Sequence, residues 1–123
     1  MSRLPPIPKT FTAVIAERKF VLRTGNKLRH VRLQIGAPTC DVPTVSGFDW
    51  RCPFRFTGAS RGKHSLQGYG VDSLQSLVHA LSLIEHELAA VEQQSEERLL
   101  WLGELPHGFP EIRLASSPQS NVA

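Results

Sequence analysis

The sequence lacks several features that would place it in a familiar class. In its 123 residues, no run approaches the roughly 18 apolar residues that a membrane-spanning helix needs. The first eight residues include three prolines and no apolar stretch of the kind that secretory signals carry. We therefore expect a cytoplasmic protein that does not associate with membranes.

Cysteine is also scarce, because the chain contains only Cys40 and Cys52. In the cytoplasm we expect both as reduced thiols, and their spacing matches no zinc-binding pattern. His79 and His86 lie about two turns, or roughly 10 Å, apart on a predicted helix, which is too far for a shared metal. The sequence therefore predicts neither a metal site nor a cofactor.

No catalytic motif is complete. The loop from Gly58 to Ser65 carries Arg61 and Lys63, but a phosphate-binding loop needs Ser or Thr after its lysine and then a helix. Here His64 follows the lysine, and a strand is predicted next. No set of Ser, His and Asp can be assigned from spacing, because catalytic triads assemble in space. We expect a protein that is not an enzyme.

Acidic residues are scarce in the first half of the chain, and basic residues are scarce in the second. The first 63 positions hold twelve Lys and Arg against three acids, whereas the remainder holds two arginines against eight acids. The formal charge is therefore +9 in one part and −6 in the other. Such asymmetry indicates an anionic partner or a self-complementary dipole.

Alternating apolar and polar residues predict four strands, at residues 10–23, 28–36, 49–57 and 64–69. The first is one long strand or two short ones, with a bulge near Glu17 and Arg18 where the parity of the apolar positions changes. Residues 24–27 include Gly and Asn and predict a hairpin turn. Residues 37–48, with two prolines and a glycine, predict a long loop.

One long helix is predicted from Asp72 to about Gln94, with Asp72 as its N-cap and Gln75 in the reciprocal capping-box position. Apolar residues at helical spacing form one stripe along it. These are Leu74, Leu77, Val78, Leu81, Ile84, Leu88 and Val91. Residues 99–102 fit either a last strand or a second short helix.

These elements define an α+β fold, in which an antiparallel sheet of about four strands packs on one long C-terminal helix. An extra short strand after the helix is one of the two alternatives left open. We expect a single domain over residues 10–114. A disordered proline-rich arm is expected at residues 1–9 and a disordered tail at residues 115–123.

The alternation also predicts which side chains face away from the helix. The basic residues of the strands share this outer face: Lys19, Arg23, His30, Arg32, Arg51 and Arg55. Trp50, Phe54 and Phe56 point into the core instead, so the face lacks the exposed aromatics on which sheets stack bases. It is either an electrostatic site for a polyanion or a solubilising surface.

Two further groups are candidate partner-binding residues. One is the basic loop with a nearby tyrosine, and its members are Arg61, Lys63, His64 and Tyr69. The other is the C-terminal pair of aromatics, Trp101 and Phe109, which either closes the core or forms a protein-binding patch.

Three segments in order resemble a family of small uncharacterised bacterial proteins. They are DWRCPF at residues 49–54, GVDSLQSL at 70–77 followed by Ala80-Leu81, and WLGE at 101–104 followed by GFP at 108–110. The resemblance extends over most of residues 11–110. It implies a bacterial, stand-alone domain and brings no established activity. By analogy, many small bacterial proteins of this type are immunity proteins that neutralise toxins.

The leading expectation is a non-catalytic module that binds another protein, with immunity to a toxin as one concrete version. The alternative is a protein that binds nucleic acid or another polyanion through the basic sheet face, with Arg32, Arg51 and Arg55 as its main contacts. A homodimer in which the basic face of one copy meets the acidic helix of another is a third arrangement that the charge asymmetry allows.

Overall fold

The computed structural model describes residues 3–58, 64–92 and 97–101. The elements in chain order are strands and one helix: β1 (Val14–Thr24), β2 (Lys27–Gly36), β3 (Thr39–Thr44), β4 (Gly47–Thr57), β5 (His64–Gly70), α1 (Ser73–Glu92) and β6 (Glu97–Leu100). All strand pairs are antiparallel and belong to one sheet. The predicted α+β class, with a sheet and one long helix, is confirmed.

The first hairpin forms where it was predicted. Thr24 pairs with Lys27, and Gly25 between them has φ of 62°, a left-handed conformation that glycine adopts without steric cost. β1 is a single long strand. Its register changes between Val14 and Ala16, so the bulge lies closer to the start of the strand than the predicted position near Glu17 and Arg18.

The prediction of a long loop at residues 37–48 is wrong, because most of these residues form β3 and the start of β4. β2 pairs with the second half of β4 and β3 with the first half, so the two act as one long bent strand along β4. Pro43 is tolerated because β3 has β4 as its sole partner strand within the described residues. The tip of this second hairpin is Val45-Ser46.

The helix crosses the sheet from one edge to the other. β5 lies beside β4 at one edge, and β6 lies beside β1 at the opposite edge, so α1 has to span the strands between them. β6 also answers the question left open at residues 99–102, where the chain is a strand at least to Leu100. Within the described residues, no helix combines the length and the apolar character that crossing a membrane requires.

The predicted N-cap of α1 is present. The carboxylate Oδ1 of Asp72 accepts a hydrogen bond of 2.7 Å from the backbone N–H of Gln75. Gln75 Oε1 in turn accepts a hydrogen bond of 2.7 Å from the backbone N–H of Val71. In an ordinary capping box the donor is the N–H of the cap residue itself, which here is Asp72. Both ends of the predicted reciprocal pair therefore satisfy backbone donors.

The core lies between α1 and one face of the sheet. Its buried side chains are Phe20, Leu22, Val31, Leu33, Ile35, Cys52, Phe54, Phe56, Ala80, Ile84 and Leu88. The helical stripe differs from the prediction at its start, where Ser76 is buried and Leu74 is exposed. Trp50, predicted to point into the core, is only half-buried.

The stripe is rotated because the first half of α1 lies directly on two glycines of β5. A Cβ on Gly68 would overlap the backbone N of Ala80 and lie 2.6 Å from the backbone O of Ser76. A Cβ on Gly70 would lie 2.5 Å from the backbone N of Ser76. This contact requires glycine on the strand and small residues on the helix, so Ser76 and Ala80 face the sheet and Leu74 points outward.

We predict that Gly68→Ala lowers the free energy of unfolding by about 2 to 3 kcal/mol, because the new methyl group meets rigid helix backbone. Urea denaturation measures the loss. Gly25→Asn is the matched control, since a Cβ at Gly25 meets nothing within 4 Å and asparagine tolerates the left-handed conformation. If Gly68→Ala costs no more than the control, α1 can move away from β5 freely.

We also predict that the two thiols differ in reactivity. Cys40 is exposed, whereas Cys52 is fully buried, and that burial raises the pKa of the Cys52 thiol to about 11. A disulfide reagent such as dithionitrobenzoate should titrate one thiol rapidly in the native protein and the second only after unfolding. Cys40→Ser should leave no rapidly reacting thiol.

The raised pKa of Cys52 also predicts a loss of stability at high pH. The contribution of the Cys52 thiol to the free energy of unfolding is complete below pH 9.0, the pKa of the thiol in the unfolded chain. It is lost as the pH rises through about 11, because burial in the folded protein disfavours the thiolate. Cys52→Ala should remove this part of the pH dependence. Equal slopes for both proteins between those pH values would contradict the assignment.

Candidate functional site on the outer face of the sheet

The outer face of the sheet, opposite α1, is covered at its centre by the N-terminal arm. We use this name for residues 3–12, which have no regular secondary structure. The backbone O of Pro8 accepts a hydrogen bond from Gln67 of β5, and the backbone O of Thr10 accepts one from Arg51 of β4. The expectation of a poorly ordered arm at residues 1–9 did not include these bonds.

Arg51 is the centre of this arrangement, with only 2% of its surface exposed. Nε and Nη2 donate to the two carboxylate oxygens of Asp41 at 2.7 and 3.1 Å. Nη1 donates to the backbone O of Thr10 at 2.7 Å and to Oε1 of Gln67 at 3.1 Å. Nη2 also donates to Oγ1 of Thr10 at 3.3 Å. All five guanidinium N–H groups therefore have an acceptor.

A local irregularity of β3 brings the carboxylate to this guanidinium. The register between β3 and β4 shifts between Cys40 and Val42, so Asp41 is the extra, unpaired residue of a β-bulge. Bulges redirect a side chain that regular pairing would send elsewhere. Here the redirected carboxylate forms a bidentate ion pair with Arg51, which is the strongest geometry for this pair of groups.

Gln67 extends the network to the edge of the sheet. Its side-chain amide accepts from Arg51 through Oε1 and donates through Nε2 to the backbone O of Pro8 at 2.9 Å and to the hydroxyl O of Tyr69 at 3.0 Å. Tyr69 is partly exposed beside the arm. The middle of a sheet face offers no backbone donors, so these side chains supply the hydrogen bonds that the crossing arm needs.

A second set of contacts holds the arm where it joins β1. The ring of Phe11 lies under the guanidinium of Arg55, with 4.0 Å between the ring centre and Cζ. Thr12 Oγ1 donates to the backbone O of Ala37 at 2.8 Å. Gly36 permits this approach, because a Cβ there would overlap Thr12 Oγ1 and lie 2.9 Å from Cγ of Pro53.

The predicted basic face is therefore only partly available, because Arg51 and Arg32 have acidic partners and Arg55 contacts Gln34 and the ring of Phe11. The prediction that Arg51 projects into solvent is wrong, because the arm and Asp41 bury it. Arg55 donates to Oε1 of Gln34 at 2.8 Å, and Gln34 donates to Glu17 at 2.9 Å. Arg32 is exposed and pairs with Glu17 at 3.4 Å.

The remaining predicted site residues do not converge on this face. Arg61, Lys63 and Phe109 lie outside the described residues, as does the side chain of His64, whose backbone begins β5. Trp101 is half-buried against the core, and the guanidinium of Arg18 lies 3.9 Å from the centre of its ring. Trp101 therefore packs against the core with part of its surface exposed, and its role with Phe109 in a protein-binding patch stays a prediction.

One side chain of α1 reaches the edge of β5 that pairs with no strand among the described residues. Nδ1 of His79 accepts a hydrogen bond of 2.9 Å from the backbone N–H of Tyr69. This bond requires a ring that carries no proton on Nδ1, and it satisfies an edge donor that another strand would otherwise pair with. His79 is therefore structural in this position.

Two exposed surfaces lie at opposite ends of the long β2–β3 path. The basic end belongs to the β1–β2 hairpin and comprises the exposed residues Lys19, Arg23, Lys27, Arg29 and His30. The apolar end comprises Val45, Phe48, Val71 and Leu74, which are 96%, 64%, 71% and 66% exposed. Sequence reasoning missed the apolar end, because it requires the β3–β4 hairpin to be recognised first.

Arg51 and Gln67 present N–H donors to carbonyl oxygens, and their partner here is main chain. Within residues 3–58, 64–92 and 97–101, no group of three or more His, Cys, Asp and Glu side chains could hold a metal ion.

The fold and the outer face define a small α+β domain whose N-terminal arm docks across the sheet by side-chain to main-chain hydrogen bonds. The chain belongs to the family described as a domain of unknown function, DUF6968, whose model matches residues 16–111. This confirms the expected resemblance to an uncharacterised family. No curated protein and no solved structure matches the sequence.

We predict that Asp41→Ala lowers the free energy of unfolding by about 2 to 3 kcal/mol, because it leaves the buried Arg51 guanidinium without its counter-charge. Arg51→Met should cost less, since it removes the charge and keeps an apolar side chain of similar length. In the Arg51→Met background, Asp41→Ala should be nearly neutral. A double-mutant cycle by urea denaturation measures this coupling.

Glu17→Ala is the control for this cycle. Glu17 pairs with the exposed Arg32, so its removal should cost less than about 1 kcal/mol. If Asp41→Ala costs equally little, or if its cost is the same with and without Arg51, the ion pair does not hold these strands together.

Proposed function

We propose that this protein is a non-catalytic module that binds another protein through its apolar end. The observation that carries the proposal is the exposure of Val45, Phe48, Val71 and Leu74, which belong to segments at the same end of the sheet. Scattered exposed apolar side chains are ordinary, but a contiguous group marks an interaction surface. An aromatic residue within such a group is the kind of side chain that dominates binding energy.

Strand pairing supports the contiguity of this region. Trp50 of β4 pairs with Gly70, the last residue of β5. The next residue, Val71, is therefore at the same end of β4 as Phe48, and the first turn of α1 adds Leu74. Trp50 itself is half-buried beside them. The loops and the helix start together present a rim of apolar side chains around the end of the sheet.

Immunity to a toxin in a bacterial cytoplasm is the concrete version of this proposal. The resemblance to small uncharacterised bacterial proteins supports it by analogy. Charge supports it too, because Asp49 and Asp72 flank the apolar end and would complement a basic partner such as a nuclease toxin. Apolar contacts would supply the affinity and the acids the orientation.

The test is affinity capture from an extract of the source organism. The full chain should retain one stoichiometric protein, and retention should persist in 1 M salt because apolar contacts dominate. Phe48→Ser with Leu74→Ser should reduce the retained protein at least about tenfold, as expected for two residues of an interface centre. Leu28→Ser is the matched control, since Leu28 is 67% exposed at the other end of the molecule.

A second experiment separates immunity from other protein binding. The captured protein should arrest growth when expressed alone, and co-expression of the full chain should restore growth, whereas the Phe48→Ser and Leu74→Ser double variant should not. Capture that is unchanged in the double variant, or equally reduced by Leu28→Ser, would rule out the apolar end as the binding surface.

Binding of a polyanion is the second candidate function, and the exposed basic end favours it. Lys19 and Arg23 lie on the outer face of one hairpin and Lys27 and Arg29 on its opposite face, whereas Arg51 and Arg55 are engaged with the arm. The polyanion surface proposed here is thus the hairpin end and not the centre of the sheet. The same end could meet the acidic helix of a second copy, which would make the molecular mass in solution decrease with added salt.

We predict that a fluorescent single-stranded oligonucleotide binds, if this candidate is correct, with an affinity that falls steeply with salt. Lys27→Gln with Arg29→Gln should lower the slope of log K against log salt by about 1.4 for single strands, because two phosphate contacts are lost. Lys9→Gln, an exposed charge on the arm, should leave the slope unchanged. Absence of binding at low salt would eliminate this candidate.

A further inference from the structure

We propose that the outer face of the sheet is a binding site for an extended, proline-containing segment of another protein, and that the N-terminal arm occupies this site within the chain. The receptor residues are Asp41, Arg51, Arg55, Gln67 and Tyr69. None of them belongs to the apolar end, so this site and the function proposed above stand or fall separately.

The receptor is organised to bind a main chain. Arg51 is fixed by the bidentate pair with Asp41, which leaves one N–H of Nη1 and the second N–H of Nη2 directed at the arm. Gln67 is fixed by its bond from Arg51 and directs Nε2 at the arm. Groups held in place by their own partners lose little freedom on binding, so they form a pre-organised site.

The contacts of the arm show which features of a ligand the receptor residues bind. Its carbonyl groups at Pro8 and Thr10 accept from Gln67 and Arg51, two residues apart on the same side of an extended chain. Phe11, directly after the second carbonyl, lies under Arg55. Leu4 and Ile7 are exposed, so their side chains contribute little. Recognition rests on two carbonyls, the hydroxyl of Thr10 and one aromatic ring.

Proline suits such a ligand for a physical reason. A chain that crosses a sheet face finds few acceptors for its N–H groups, and proline has no N–H to satisfy. Its fixed φ also keeps the chain extended before binding, which reduces the entropy lost on docking. Docking of a pre-extended, proline-rich segment on a protein surface is a known mode of peptide recognition. The ligand class is therefore an extended segment in which the carbonyl of a proline accepts from Gln67 and the carbonyl two residues later accepts from Arg51. An aromatic residue follows directly and packs against Arg55.

The arm competes with such a segment for the site, so the affinity of the segment must exceed what this competition demands. Because the arm is tethered to β1, its effective concentration at the site is on the order of millimolar. Weakening the arm without altering the receptor should reduce this competition. Phe11 is the suitable position, because its ring makes the arm's contact with Arg55 and belongs to the ligand side of the site.

The experiment uses the full chain and a synthetic peptide of residues 3–13 as the probe. The peptide is titrated into isotope-labelled protein, and the side-chain N–H signals of Arg51 and Gln67 report the site by nuclear magnetic resonance. In Phe11→Ala the peptide should saturate these signals with a Kd about tenfold lower than in the unsubstituted chain. Thr12→Ala, which removes the bond to Ala37, is a second way to weaken the arm.

Matched controls test the chemistry of recognition. Adding Gln67→Ala to Phe11→Ala should raise the Kd at least about fivefold, because the carbonyl of the probe's Pro8 loses its donor. A probe with alanine in place of all three prolines should bind more weakly as well. Backbone signals of α1 should stay unchanged in each variant, which verifies that the fold is intact.

Three results would overturn the proposal. The first is a peptide that shifts neither the Arg51 nor the Gln67 signals in Phe11→Ala and Thr12→Ala. The second is binding that survives Gln67→Ala. The third is a Phe11→Ala protein that dimerises with the arm of each copy bound to the outer face of the other. The site would then serve for arm exchange and not for a separate partner.

Discussion

The buried guanidinium of Arg51 is the constraint on which the arrangement of the outer face depends. A charged group removed from water is tolerated only when its counter-charge and its hydrogen-bond partners are fixed around it. Arg51 has an acceptor for each of its N–H groups, drawn from β3, from β5 and from the arm. A single residue of β4 therefore connects three other segments through its hydrogen bonds.

The position of the arm depends on its hydrogen bonds with this guanidinium. The positive charge that the outer face exposes depends in turn on where the arm lies. An extended segment with three prolines has little tendency to form sheet or helix, so its placement has to come from side chains of the domain. Once it is placed, it removes Arg51 and Arg55 from the surface that an external anion would meet. The exposed positive charge of the described residues then lies mainly at the basic end.

The sequence was a good guide to elements whose cause is local. The turn at Gly25 depends on two adjacent residues, and the start of α1 depends on Asp72 and Gln75, which are three apart. These were predictable because the atoms that decide them are close in sequence. Alternation likewise assigned Arg51 to the face away from the helix, which is correct.

What alternation cannot reveal is what covers a face. Arg51 was expected in solvent because parity gives a direction and no information on a segment about 40 residues away. β3 was missed for a related reason, since Pro43 indicates a loop unless the strand is known to lie at an edge. Leu74 was assigned to the core by period, although two glycines on another element rotate the helix that carries it.

The same close packing that rotates the helix also exposes Leu74 at the apolar end. If β5 carried ordinary side chains in place of Gly68 and Gly70, α1 would stand farther from the sheet, and large residues such as Leu74 would be needed to fill the space. The glycines bring Ser76 and Ala80 against the strand and turn Leu74 outward, beside Val71. The exposure of Leu74 is therefore a consequence of how the core closes. A partner that covers the apolar end would bury side chains that the fold itself cannot.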